Sequence, residues 1–516
     1  MQQYKICAYR GLKGNMLAML PLALTNLSAI DLGIVGVILA VVVGAAIYTR
    51  RYTRSVADFL SANRCAGRYL LTLASGMSGL GAITIVAQWE QVYQAGFSAG
   101  FWGQMMAPLG LILALSGWII YRYRETRSMT LAQLMEKRYS RKFRVFSGSL
   151  CWISGILNFG IFPAVTARFF IYFLDLPVYT FPWEVIVETL KQAPVGQSKL
   201  NPFDIDRLPD FNIGFFMMML FIAIYNFMVW QGTQGYNSSA INPHEAKMAG
   251  ILAQFRSGVT YLLIPLAAIC AYVLMNAPIH EAATLATQAT LDGLGDPQLA
   301  KQLTTTVALS NVLPVGIMGL FASVMIMAAV STDTTYLHSW GSIFIQDVLM
   351  PWRSLRGHQD RLTPKLHLRW LKRSIIGVAI FGWCFSMLFP LKEFILMYFQ
   401  VTGAIFLGGG GAVLIGALYW KRGTTSGAWA AMITGSSLAV SGVLINNVLW
   451  PKVLPSIKES YAGTEWITNL PETFWLNGMQ LGFLSSLTAI AAYIIVSLMA
   501  PDPEIEMDDH LTEKSS

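Results

Sequence analysis

The sequence predicts an all-α polytopic membrane protein, and three observations carry the prediction. The 516 residues are 54% hydrophobic and only 12% charged, with a mean hydropathy of +0.51. A soluble chain of this size carries about 25% charged residues. Apolar stretches long enough to cross ~30 Å of hydrocarbon recur along the chain, and no alternating pattern competes with them as strands. The lysines and arginines gather in alternate connecting segments.

Taken in order, residues 1–29 stand apart. Lys5, Arg10 and Lys13 precede the apolar run MLAMLPLALTNLSA, which reads equally as a signal-like segment or as the result of an upstream start, with Met16 the true one. Membrane-length apolar stretches follow at 30–49, 69–90, 99–121, 146–174, 212–231, 250–275, 309–336, 374–390, 394–420, 425–448 and 475–499, about 11 transmembrane helices in one domain over 30–499. If the amino terminus lies outside, the inner segments hold 24 of the 36 basic residues. That bias predicts the amino terminus outside and residues 500–516 as a short cytoplasmic tail, in a bacterial inner membrane. The basic runs are thereby explained as an orientation signal in lipid, and no nucleic-acid partner is expected. Five scattered cysteines and six scattered histidines form no CxxC or HExxH pattern, so neither a transition-metal site nor a disulfide framework is expected. No nucleophile–base pair marks an enzyme.

Two stretches break the apolar pattern. In 69–90, Ser75, Gly76, Ser78, Gly79 and Gly81 interrupt a helix, and each glycine lowers helix preference by about 1 kcal/mol relative to alanine. The run reads either as close helix packing through small residues or as a discontinuous helix whose freed carbonyls hold an ion. Further on, Ser331, Thr332, Asp333, Thr334 and Thr335 form a polar run inside an apolar helix. Such groups are costly in lipid and need a partner, a cavity or an ion. Ser and Thr hydroxyls also satisfy themselves on carbonyls of their own helix, which is the structural alternative. Ala328, Ser331 and Thr332 share one helix face by their i, i+3, i+4 spacing.

The residues also carry a resemblance. FLSANRCAGRYLLTLASGMSGLGAITIVAQWEQVYQAGFSAGFWGQ (59–104) resembles the opening of the sodium/solute symporter family, an F-L-A-G-R loop running into an unwound small-residue helix. WQGTQGYNSSAINPHEAKMAG (230–250) is similar to that family's Q…EA-K connector, AAVSTDTTYLHSWGSIFIQDV (328–348) to its A-A-x-x-S-T/S helix with a terminal Asp, here Asp347, and IGALYWKRGTTSGAWAAMITG (415–435) to its G-L-F-W-K-R…G-A signature. The four blocks fall in family order and together span most of the chain. The resemblance implies a LeuT-type fold, two five-helix repeats in inverted topology, and sodium-coupled symport of a small organic solute by alternating access.

Carried onto matching positions, the resemblance implies one sodium site made of the carbonyls of Ala74, Met77 and Ala328 and the hydroxyls of Ser331 and Thr332. Neutral oxygens suit a hard cation that must also be released. Asp333 departs from the family pattern, and a charge pair with Arg256 or a proton-carrying role is open to it. For the solute, Asn226 matches a sugar-binding position in sugar-transporting members; Gln104 and Trp102 would line the same cavity and Tyr225 would act as a gate, each against the alternative of packing or helix bridging. Residues 242–245 read as structural: Asn242 caps a helix, Pro243 begins it and Glu245 closes a capping box. Gly408–Gly411 lacks a following GK[ST] and reads as a flexible or tightly packed point of a helix.

The chain also departs from the family. Between 146–174 and 212–231 two family helices are absent, leaving an extracellular segment at 175–211 with no run of about 18 apolar residues. Two other functions therefore stay open beside sodium symport: a proton-coupled or uncoupled carrier using Asp333, and a non-transporting membrane sensor. Oligomeric state is not legible from these features.

Overall fold

The computed structural model describes residues 27–52, 55–126, 128, 130–172, 183–208, 210–277, 280–357, 363–388, 394–460, 474 and 476–500. The signal-like segment before residue 27 and the tail after 500 lie outside them. Among the described residues every regular element is helical. Eight helices are long and apolar enough to cross a membrane, and a bent pair makes a ninth span.

Ser28 and Asp31 begin α1 (Ala29–Thr49) with a full capping box. Asp31 has a second task. Its buried carboxylate accepts the backbone N–H groups of Gly316 (2.7 Å) and Gly319 (2.8 Å), at the start of a helix almost three hundred residues away. This negative group sits on the positive end of that helix and supplies acceptors that lipid lacks. We expect Asp31→Leu to cost about 2–3 kcal/mol through the lost charged hydrogen bonds, read as a lower thermal midpoint of the purified protein; Asp31→Asn, which keeps one carbonyl acceptor, should cost less.

The short α2 (Val56–Ser61) leads to α3 (Arg68–Ser78) and α4 (Ala82–Ala95), which meet at a 63° bend across Gly79, Leu80 and Gly81. The discontinuous reading of 69–90 is the one observed. Next come α5 (Phe97–Ser116), α6 (Ile120–Glu125), α7 (Leu131–Arg138), α8 (Arg141–Gly160) and α9 (Phe162–Tyr172), so the single stretch expected at 146–174 is two helices broken at Ile161. Between Trp183 and Phe211 the described residues hold a nine-residue helix, α10 (Trp183–Lys191), and no membrane-length element.

The stretch expected as one helix over 212–231 is also discontinuous. α11 (Ile213–Tyr225) stops at Asn226, Met228 adopts φ 61°, and the chain resumes through a 3-10 turn at Gln231–Thr233 into α12 (Gln234–Ser238). α13 (Pro243–Asn276) starts as expected, with Asn242 accepting from the Glu245 N–H at 2.9 Å and Pro243 in the first turn. The capping box is only half formed, however. The Glu245 carboxylate turns away to α3, accepting the backbone N–H of Arg68 at 2.7 Å and pairing with its guanidinium. α3 starts on Gly67, which has no side chain to cap it, so Glu245 serves that end instead.

After α14 (Glu281–Asp292) and α15 (Pro297–Ser310), Pro314 and Gly316, the latter at φ 86°, break the helix expected at 309–336. The span is therefore α16 (Ile317–Ile343), which continues through a π turn at Phe344–Leu349 into α17 (Met350–Leu355). α18 (Pro364–Leu388) follows, with Lys365, Arg369, Lys372 and Arg373 in its first half. It and the short α11 account for the difference between eleven expected spans and the observed nine.

α19 (Ile395–Tyr419), α20 (Thr425–Leu444) and, after α21 (Trp450–Ser460), α22 (Gly478–Met499) pack closely on one another. The glycine run of α19 makes this contact possible. Gly408 faces the Ser485 hydroxyl of α22, Gly409 the backbone of α20 at Met432, Gly410 Val229 and Gly411 the Tyr225 ring. Tight packing is what the four glycines do.

Candidate functional site

The site lies where the α3–α4 break meets α16. Gly81, the N-terminal cap of α4, sits against Thr332: a Cβ there would stand 2.9 Å from the Thr332 Cβ and Oγ1. Glycine is thus required for the broken helix to approach α16 this closely. On the other side of the break, the Ser331 hydroxyl reaches across to the Met77 carbonyl at 3.0 Å and back to the Ala328 carbonyl at 3.1 Å. Ala74 is half-buried one turn before Met77 on α3. Hydrogen bonds thus bring the Met77, Ala328 and Ser331 oxygens together, Thr332 lies against Gly81 across the break, and Ala74 is on the adjoining turn.

The polar run divides by where each hydroxyl goes. Thr334 bonds the Val330 carbonyl at 2.6 Å and Thr335 the Ser331 carbonyl at 2.8 Å, both within the helix. That is the self-satisfying pattern open to Ser and Thr. Thr332 does not follow it. It is buried to 1% exposure and its Oγ1 has no hydrogen-bond partner among the described residues. A buried hydroxyl left in this way costs roughly 1–3 kcal/mol unless something absent from the protein chain satisfies it. The donor set fits a hard cation: neutral oxygens, one of them unsatisfied, beside the carbonyl end of a broken helix.

Asp333, next to Thr332, is half-buried and has neither a hydrogen bond nor an ion pair among the described residues. The Asp333–Arg256 charge pair is not formed. The Arg256 guanidinium lies instead against Gly76, in the last turn of α3, with one nitrogen 3.3 Å from the Ser257 hydroxyl and Nε buried without a partner among the described residues.

Of the residues expected to meet a solute, three have their polar atoms committed to bridging elements. The Trp102 indole donates to the Pro202 carbonyl at 3.1 Å and its ring stacks on Phe216. The Gln104 amide donates to the Gly258 carbonyl of α13 at 3.2 Å. The Tyr225 hydroxyl donates to the Gly408 carbonyl at 2.6 Å and accepts the Ala412 N–H at 3.0 Å, tying the end of α11 to the glycine run. Asn226 is different. It caps α11 at the second break, and its Oδ1 is buried with no partner among the described residues.

Several site residues were not foreseen. Tyr336, one turn beyond Thr332, accepts the Trp230 indole N–H at 3.0 Å and packs on Phe162, which in turn packs on Phe399. This aromatic group lies where the second helix break, α9, α16 and α19 converge. A cavity of about 280 Å³ opens beside it, lined by Asp58, Ser61, Tyr236, Thr334, Thr335 and His338 among others. The His338 ring nitrogen is 2.8 Å from the Phe59 carbonyl, holding α2 against α16. The weak sequence signal for this region was the polar run Gln231–Gly235 directly after an apolar helix.

Comparisons with known proteins agree with this architecture. Residues 215–435 match the model of the sodium:solute symporter family. An uncharacterized symporter of Cupriavidus necator is 28% identical over 192 residues, which are 37% of this chain and 25% of that protein, so the match spans about a quarter of the relative's length. The solved structure of a Na+-coupled sialic acid symporter, in a substrate-bound outward-open state, superposes with a TM-score of 0.65 at 15% identity, covering 93% of this chain and 99% of that one. At that identity the likeness speaks for the fold. The family resemblance carried by the sequence motifs thus agrees with a family-model match over residues 215–435, and the chain has the LeuT-type helical fold of the matched symporter structure.

Proposed function

We propose that this protein is a sodium-coupled symporter of a small organic solute in a cell membrane. The observation that carries the reading is the oxygen cluster at the α3–α4 break, with Ser331 joining the carbonyls of Met77 and Ala328 while Thr332 keeps a buried hydroxyl unsatisfied. Sodium bound there links α16 to both halves of the broken helix. Filling the site then favours one arrangement of the bundle, which is all that coupling requires. Asn226, whose buried oxygen at the second break has no partner among the described residues, supports a solute contact between the two discontinuous helices. The polar cavity at Asp58, Thr335 and His338 supports a path from the site to one side of the membrane, which the basic-residue bias makes the cytoplasmic side.

On the reading that two family helices are missing between 146–174 and 212–231, the rate of transport is affected. Tyr69, Leu70, Leu73 and Met77 of α3 and Phe255, Val259 and Leu262 of α13 are exposed apolar residues, and Met77 is one of the proposed sodium ligands. On that reading a further helix would cover these residues and shield the proposed site from the side. Transport should accordingly be slow beside a family member with all its helices.

The test is uptake into proteoliposomes under an imposed inward sodium gradient at constant pH. Uptake of the transported solute should follow sodium and be lost in Ser331→Ala. Asp333 favours a second reading, since a half-buried carboxylate without a partner among the described residues is suited to carry a proton. Uptake that follows an imposed pH gradient, is indifferent to sodium and is abolished by Asp333→Asn establishes that reading instead.

A further inference from the structure

Arg256 is a cation inside a membrane helix with no carboxylate within ion-pair distance among the described residues. Its guanidinium is held against Gly76, and a Cβ on that residue would overlap it outright. The absence of a side chain at Gly76 is therefore what admits the cation. The place it occupies is chemically specific. Gly76 lies in the last turn of α3, two residues before the helix ends at Ser78. The final carbonyls of a helix lack intrahelical partners and form its negative end, where cations are favoured. Ala74 and Met77, the α3 residues of the sodium site, flank Gly76 in that same turn.

We propose that Arg256 is a tethered cation that competes with sodium for the carbonyl end of α3. This rests on the sodium-site reading given above and adds a role that the site oxygens do not have. With sodium absent, the guanidinium places a positive charge beside the negative end of α3, acting through its charge, since its one hydrogen bond among the described residues goes to Ser257. When sodium enters, two positive charges share one helix end across a few ångströms of partly buried protein, and the ion must displace or outbid the arginine. Arg256 thus sets the sodium affinity from outside the ligand set. It is a positioning residue, and its charge matters more than its shape, since the fork geometry of arginine meets no carboxylate here.

The experiment is a sodium titration of the purified full-length protein, read as the sodium concentration that gives half-maximal thermal stabilisation, with choline replacing sodium to hold ionic strength. Arg256→Gln should raise sodium affinity by roughly tenfold, the scale of one like charge removed from beside a partly buried ion. Gly76→Ala, which leaves the arginine in place but pushes its flexible end off the helix, should move the midpoint in the same direction. Arg256→Lys, which keeps the charge, should stay within about threefold of the unmodified protein. Ser331→Ala is measured in parallel. Loss of the sodium response in Ser331→Ala together with unchanged midpoints in Arg256→Gln and Gly76→Ala overturns the tethered cation and leaves the sodium site standing. An intact response in Ser331→Ala overturns the site and this inference with it.

Discussion

Thr332→Val is expected to weaken sodium binding by about tenfold to a hundredfold while leaving the fold of the sodium-free protein at least as stable. The two effects separate because the substitution is nearly isosteric and removes one atom, Oγ1. That hydroxyl is buried and meets no partner among the described residues, so its loss takes away a desolvation cost of roughly 1–3 kcal/mol and no hydrogen bond to them. If Oγ1 is a sodium ligand, its loss costs about 1.4 kcal/mol for each tenfold fall in affinity. Thermal midpoints with and without sodium measure both quantities on one sample. An unchanged sodium response would remove Thr332 from the site. A large drop in sodium-free stability would show that the hydroxyl is structural. Thr334 is the internal control, because its hydroxyl is already satisfied by the Val330 carbonyl: Thr334→Val should leave the sodium midpoint unmoved.

Gly409→Ala is expected to destabilise the bundle by about 3 kcal/mol or to prevent its assembly. The new Cβ would stand 2.6 Å from the Met432 Cα and 2.7 Å from the Ala431 carbonyl oxygen. Both belong to the backbone of α20, which cannot rotate away as a side chain can. Relief requires moving one helix against another in a group where α19, α20 and α22 all touch, and overpacking of this kind costs roughly 1–3 kcal/mol or more. The same substitution at Gly377 in α18 meets nothing within 4 Å. There alanine should be neutral or stabilising by up to about 1 kcal/mol through helix preference. Parallel melting curves of the two variants check the contrast, and equal midpoints would show that glycine content, rather than packing at Gly409, governs the effect.

What was legible in the sequence follows from lipid itself. A bilayer demands long apolar helices with internally satisfied backbones, so the helical class and the position of most spans could be read from hydropathy alone. Small residues flag a break, as at Gly79–Gly81, and the polar run at 331–335 announced that something other than lipid lies beside it. The second break, at Asn226–Trp230, escaped because FMVW is as apolar as the helix before it; only Asn226 interrupts the pattern. The Asp333–Arg256 pair, left open by the sequence, is not formed among the described residues, for a related reason. Two opposite charges at similar depth invite pairing, but which one has a vacant helix end nearby is decided by Gly76, a residue on a third helix.

By itself, then, the sequence determined that this is a helical membrane protein, which family motifs it carries and which oxygen-bearing residues are candidates for an ion. Those properties are local, written in hydropathy and spacing along single helices. Only the tertiary structure decided which hydroxyls are spoken for. Thr334 and Thr335 bond within their own helix, Ser331 crosses to Met77, and within this polar run Thr332 keeps a buried hydroxyl against Gly81 with no partner among the described residues. The physical reason is that satisfaction of a polar atom depends on what stands opposite it. For α16 the opposite surface is the break in α3–α4, more than two hundred residues earlier in the chain.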